Sequence, residues 1–224
     1  AGRLRKLPGP DREMLYLTGA YTGLRASELA SLTPESFALG AGPTVTVAAA
    51  YSKHRREDVV PLHPEFVARL RPWLAGKAAG QRVWPGVWAE QFHAAGLLKR
   101  DADAARRAWV AEAGDDQAER ERREASDFLA TPDRAGRVID FHSLRYSFVT
   151  RIVAAGVSPK DAQTLARHST IVLTMDRYAQ AGLTEAMAAI GAVPAIGPAC
   201  TPACIDLVQA ADGGSPPVTP KDEE

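Results

Sequence analysis

Pro43 to Tyr51 is rich in Val and Thr, Asp58 to Leu62 is short and apolar, and the charged run Ser52-Lys53-His54-Arg55-Arg56 lies between them. That pattern predicts a β-hairpin with a basic tip. Around it the apolar residues recur with the helical period. Met14, Leu15, Leu17, Tyr21 and Leu24, then Leu29 and Leu32, predict two helices over Pro10 to Leu32, broken around Thr22-Gly23. Pro64 suits a first helical position, and Glu65 to Leu74 reads as the helix it starts. Val87 to about Gly114 reads as helical, with Trp88, Phe92, Leu97 and Trp109 as core contacts. Asp133 to Arg137 is a turn ahead of a short strand, Val138-Ile139. Helices are expected at about 143–155 and 159–167, the second capped by Ser158 with Pro159 at its first position. A shorter helix near Ile171 to Asp176 leads to Tyr178, and Thr184 to Ile190 is a last helix. The expected class is α+β, mainly α-helical, with a small antiparallel sheet.

Charge patterning divides this chain more sharply than composition does. Hydrophobic residues at 46% and charged residues at 24% exclude collagen-like, coiled-coil and wholly disordered chains. No run of about 18 apolar residues exists to span a bilayer as a helix. The start Ala1-Gly2-Arg3-Leu4-Arg5-Lys6 is charged but has Pro8 to Glu13 where a signal peptide has its apolar run, and the lack of an initiator Met suggests a mid-protein start. Cys200 and Cys204 cannot make a disulfide framework, so a cytoplasmic setting is expected. The net charge of zero hides an acidic end: 1–205 carries 26 basic against 22 acidic residues, and 51–82 alone carries seven against three. A local basic face follows. Residues 99–127, with seven basic and nine acidic side chains and few large apolar ones, read as a solvated helical pair. Six prolines from Gly191 onward indicate a linker or disordered tail.

Chemistry-bearing residues gather in four places. Arg25 stands in Thr22-Gly23-Leu24-Arg25-Ala26-Ser27-Glu28-Leu29, and Lys53 at the hairpin tip; His142 and Arg145 stand in Phe141-His142-Ser143-Leu144-Arg145-Tyr146, and His168 in Leu165-Ala166-Arg167-His168-Ser169, ahead of Asp176-Arg177-Tyr178. Each has a plain alternative. Arg25 suits a helix cap or an ion pair with Glu28, and Lys53 a solvated charge. His142 and Arg145 share a helix face as many surface pairs do, and Tyr178 suits a half-buried core position.

Taken in order, these residues resemble the tyrosine recombinase (phage integrase) family. Thr22 to Leu29 is similar to its first-arginine box. Lys53-His54-Arg55-Arg56-Glu57-Asp58-Val59-Val60-Pro61-Leu62 is similar to its lysine hairpin, His142-x-x-Arg145 to its central motif, and His168 with Tyr178 ten residues later to its second histidine and nucleophile. The resemblance covers about residues 11–190 and departs from the family in two places: Arg167 stands where Gly often precedes the histidine, and 99–135 is a longer, charged insert. It implies the family's catalytic-domain fold over 1–190, a tail over 191–224, and a missing N-terminal DNA-clamping domain.

The resemblance also implies roles. Tyr178 would attack a DNA phosphodiester, Arg25 and Arg145 would hold its oxygens in bidentate forks, and Lys53 would protonate the leaving 5′-oxygen. His142 would accept the tyrosine proton or assist its transfer, His168 would donate to the phosphate, and Glu28 would orient Arg25 or Lys53. Arg55 and Arg56 would bind DNA. The phosphotyrosyl bond keeps the energy of the broken linkage, so no cofactor, neither ATP nor a metal, is expected. The implied partners are double-stranded DNA and, at synapsis, a homotetramer, with no membrane and no small-molecule substrate. Met187, Ile190 and Val193 would serve a neighbour contact or the core. A bacterial or phage-derived cytoplasmic protein on the nucleoid is implied. Type IB topoisomerase shares the chemistry, but the short lysine hairpin and compact His-x-x-Arg spacing favour a recombinase. The six filled positions argue against a decayed integrase that only binds DNA. A metal site from His142, His168, Cys200 and Cys204 lacks paired ligand spacing. The central expectation is geometric: Arg25, Lys53, His142, Arg145 and His168 should converge on one phosphate-sized basic pocket, with Tyr178 near its rim.

Overall fold

A proline-primed helix opens the fold. In the computed structural model, which describes residues 7–178 except 54, 91 and 92, helix α1 runs Gly9–Thr22 and buries Met14, Leu15, Thr18, Gly19 and Thr22. It stops at Gly23, whose φ of 62° is left-handed and whose N–H donates to the Gly19 carbonyl. Only glycine takes that conformation at little cost. Helix α2, Ala26–Ser31, follows after the three residues Gly23 to Arg25, so the helix break falls at the predicted Thr22-Gly23.

A single 3₁₀ turn, Pro34–Ser36, leads into a three-stranded antiparallel sheet of β1 (Phe37–Ala38), β2 (Thr44–Val47) and β3 (Asp58–Pro61), in that order. Val45 pairs with Val60, and Val47 with Asp58. Val45, Val47 and Val60 face the core while Val59 is exposed, the alternation expected of a sheet with one solvated face. Pro61 ends the edge strand β3, where its missing N–H costs no ladder bond. β1 is an element the sequence does not predict, and the Val/Thr-rich segment is strand only over four residues before it turns at Ala48.

Helix α3 (Pro64–Ala75) buries Phe66, Val67 and Leu70, and Phe66 stacks on Tyr21 at 5.0 Å between centroids. Trp84 is fully buried; its indole N–H donates to the Asp11 carbonyl at 2.9 Å, and its ring stacks on Trp73. A buried indole needs such an acceptor. Leu15, Leu24, Leu29, Val45, Val47, Phe66, Leu70 and Trp84 thus share one core.

Three predicted details differ. Helix α4 begins at His93, not Val87, and runs to Ala111, because Val87 to Glu90 forms a turn that places Trp88 in the core. Phe92 lies outside the described residues. Trp109 misses the core: it packs edge-on against Phe128 at 4.8 Å with the Arg123 guanidinium over its ring. Helix α5 (Gln117–Glu124) buries none of its residues, as the expected solvated pair requires, whereas the α4 half of that pair buries Ala102 and ties Asp101 to Tyr16 and Arg12. Finally, Val138-Ile139 is no strand. The Ile139 N–H donates to the Thr131 hydroxyl at 3.1 Å, and no strand lies alongside among the described residues.

Helices α6 (His142–Ala154), α7 (Pro159–Ala166) and α8 (Val172–Tyr178) complete the described chain. The Ser158 hydroxyl accepts from the Asp161 N–H, the cap predicted for α7. α6 lies tight on α1. A Cβ on Gly19 would sit 3.0 Å from a Leu144 methyl, and one on Gly23 only 2.5 Å from the Phe148 ring. The helix expected at Thr184 to Ile190, the contacts of Met187, Ile190 and Val193, the tail from Gly191 and both cysteines lie outside the described residues. Among the described residues, no helix is long and apolar enough to cross a membrane.

Candidate active site

The break at Gly23 creates the first part of the site. It swings the chain so that Arg25 stands at the head of α2 with Glu28 one turn on. The Arg25 N–H donates to Glu28 Oε2 at 2.8 Å, and its guanidinium Nη1 to Glu28 Oε1 at 2.9 Å. Glu28 is only 1% exposed, and a buried carboxylate persists only with partners. Its second partner comes from far along the chain: Arg167 Nη2 donates to Oε2 at 3.0 Å. Burial acts to raise the Glu28 carboxyl, but the Arg167 charge and the hydrogen bonds from Arg25 hold it below the ordinary range.

Arg145 comes from α6. Its neighbours His142, Tyr146 and Val149 stand three, one and four residues away, so His142, Arg145 and Val149 share a stripe. The α6 start is fixed by a reciprocal pair: the Ser143 N–H donates to Asp140 Oδ1 at 2.9 Å, and the Asp140 N–H to the Ser143 hydroxyl at 3.1 Å. Arg145, 4% exposed, is held by two carbonyls: Nη1 donates to Gly23 O at 2.5 Å, and Nη2 to Ala166 O. Burial, then the charges of Arg25 and Arg167, pull its pKa down to about 10. The group therefore stays charged at neutral pH, and an arriving anion would relieve the repulsion.

Lys53 sits exposed on the hairpin turn, but the turn's root is fixed. The hydroxyl of buried Ser52 donates to Asp58 Oδ2 at 2.7 Å. Beyond it, Arg55 has a left-handed φ of 52°, and Arg56 faces Asp58 at 3.7 Å; both arginines are exposed and lie off the cavity wall. His168 follows the end of α7. Its backbone N–H donates to the Gln163 carbonyl, and its Nδ1 lies 2.9 Å from the hydroxyl of buried Thr174 on α8. That contact fixes the ring's orientation.

These elements enclose one cavity of about 310 Å³, lined by Arg25, Lys53, His142, Arg145, Tyr146, Val149, His168 and Leu173. Five predicted residues from four separate stretches of sequence thus face one basic space at the small end of ligand-sized clefts. Glu28 stands behind the wall rather than in it. Tyr178 is the last residue of α8, the helix whose Leu173 lines the cavity, while its side chain lies outside what the structure describes. Sequence reasoning missed Asp58, Ser52 and Tyr146, and noted Arg167 only as a departure. The available signals were a carboxylate inside a basic hairpin and an arginine where a helix must end.

The family model for the phage integrase family matches residues 5–184. Among solved structures the chain is similar to the Tn1549 transposon integrase in complex with circular intermediate DNA. The identity is 17% and the TM-score 0.53, over 80% of this chain and 57% of that one. It is also similar to the XerH site-specific recombinase bound to palindromic difH substrate, at 16% identity and TM-score 0.52, over 81% of this chain and 47% of that one. The chain therefore spans about half the length of these two proteins, and the likeness is one of fold. No curated protein matches the chain significantly.

Proposed function

Since this chain belongs to the phage integrase family, we propose that it is a site-specific DNA recombinase that cleaves and rejoins double-stranded DNA through a 3′-phosphotyrosyl intermediate on Tyr178. The observation that supports this reading is the convergence of Arg25, Lys53, His142, Arg145 and His168 on one cavity. Charge of one sign, two guanidinium forks and two imidazoles are what an in-line displacement at a phosphodiester needs.

The Tyr178 hydroxyl attacks phosphorus, its proton passing to His142, and the bond from phosphorus to the 5′-oxygen breaks as Lys53 gives that oxygen a proton. Arg25 and Arg145 neutralise the non-bridging oxygens as charge gathers on them, and His168 donates a further hydrogen bond. Glu28 orients Arg25. In the second step a 5′-hydroxyl attacks the phosphotyrosine and Tyr178 leaves. Bond energy is kept throughout, so neither ATP nor a metal takes part. On this reading residues 1–190 are the catalytic domain and 191–224 an acidic tail. Arg55 and Arg56 contact the DNA backbone, and four protomers meet at synapsis.

The test works with any target sequence. A pool of nicked duplexes with random cores of about 30 base pairs, roughly three helical turns, is incubated with the protein. Protein-bound strands are then captured under denaturing conditions. The expected adduct maps to the Tyr178 peptide, survives chelator and vanishes in Tyr178→Phe while DNA binding remains. An adduct that persists in that variant, or a strict need for magnesium, overturns the reading.

A further inference from the structure

Helix α7 ends on a residue whose backbone is strained for anything but glycine. Arg167 has φ 53° and ψ 44°, the left-handed conformation that a Cβ disfavours. A long cationic side chain at such a cap ordinarily extends into water. This one turns inward and is 7% exposed. Its Nη2 donates to Glu28 Oε2 at 3.0 Å and to Gly23 O at 3.3 Å, while Nη1 faces Asp58 Oδ2 at 3.6 Å.

Each of those three partners holds a different part of the site. Glu28 grips the backbone and side chain of Arg25. Gly23 O is also the acceptor for Arg145 Nη1. Asp58 receives the hydroxyl of Ser52, the residue before Lys53. Arg167 itself precedes His168. One guanidinium thus touches the anchors of both arginines and of the lysine hairpin, and it is chained to the second histidine. The charge balance supports the same view. Glu28 and Asp58 are buried carboxylates on α2 and β3, and Arg167 is the buried cation that lies within ion-pair distance of both. Among the described residues, Nη1 and Nε have no hydrogen-bond acceptor, so the arm toward Asp58 has donor capacity in reserve.

We propose that Arg167 is a positioning residue that fixes the lysine hairpin relative to Arg25 and Arg145 by bridging Asp58, Glu28 and the Gly23 carbonyl. This rests on the recombinase reading for its catalytic consequence, but not for its mechanical one. Displacing the hairpin by an ångström moves Lys53 off its line to the leaving oxygen, and misplacements of that size cost about a hundredfold in rate.

Arg167→Gly is the informative variant, because it relieves the backbone while removing the bridge. Two measurements accompany it. Hydrogen exchange at the Arg55 amide, bonded to Ser52 O at 3.0 Å, reports the hairpin directly. We expect about tenfold faster exchange there, with α1 amides unchanged. Adduct formation on the nicked random-core duplexes should slow about 10- to 100-fold, with DNA affinity within about threefold, and Arg167→Lys should recover part of the rate. Unchanged exchange at Arg55 overturns the proposal whatever the activity does. Parallel losses of rate, affinity and thermal midpoint would make Arg167 merely structural and overturn it too. Faster hairpin exchange in a protein whose wild type forms no adduct would support the bridge and strike down the recombinase reading instead.

Discussion

At the scale of single residues, the site is a problem in keeping charge buried. Glu28 is stable inside the protein because Arg25 and Arg167 meet both of its oxygens. Its folded pKa lies below the ordinary value of 4.5, so its contribution to stability is present above that pH and is lost as pH falls through the lower folded value. Glu28→Gln should therefore cost about 3 kcal/mol at pH 7, since it strands a buried guanidinium. The gap to wild type should narrow in strong acid. Urea unfolding of both proteins at pH 7 and pH 3 checks this, and a gap independent of pH would mean that shape rather than charge matters. Arg145 poses the converse case. A lysine there would keep the charge but could not hold Gly23 O and Ala166 O while presenting two donors to a phosphate. Arg145→Lys should lower adduct formation about a hundredfold and DNA affinity by only a few fold, because the fork is worth most when charge develops. Equal losses of both would make Arg145 a binding residue alone.

Between elements, the decisive contact is α1 against α6, and it depends on glycine. Gly23→Ala would force a Cβ into a left-handed backbone and within 2.5 Å of the Phe148 ring. A destabilisation of about 2–5 kcal/mol is expected from strain and overpacking together, visible as a lower thermal midpoint. Because Phe148 shares α6 with Arg145, catalysis should fall beyond what stability explains. The helix break was legible because Thr-Gly punctuates an otherwise periodic run, and the hairpin because its alternation and turn residues are local signals. β1 was not, being two residues long with no period to read. Val138-Ile139 looked like a strand for want of the one fact a sequence withholds, the presence of a neighbour to pair with. The cavity's basic residues were legible through the order of their motifs. The Glu28–Arg167 link was not, since it joins residues 139 positions apart and exists only after folding.

For the molecule as a whole, a net charge of zero is compatible with DNA binding only if the basic residues that face DNA are not already neutralised at home. Helix α5 of the insert has its arginines paired close at hand. Arg122 and Arg123 both bond to Glu119, whose carboxyl they hold down to about 2, and Arg123 also reaches Glu112 at 3.4 Å. The hairpin differs: Arg55 projects from an exposed turn, and Arg56 meets Asp58 only at 3.7 Å with most of its side chain in solvent. Phosphate contacts release counterions, so each contributes close to one unit to the slope of log affinity against log salt. Affinity for duplex DNA should drop steeply between low and physiological salt. Replacing Arg55 and Arg56 together by Ala should flatten the slope by about two units, or by about one if Asp58 keeps Arg56 on the complex. Arg122→Ala should leave the slope where it was, because that charge is matched within α5. Affinities at three salt concentrations for wild type and both variants decide the matter. A slope that responds to Arg122 and ignores the hairpin would put the DNA on the insert's side of the molecule and remove the basic tip from the proposed binding face.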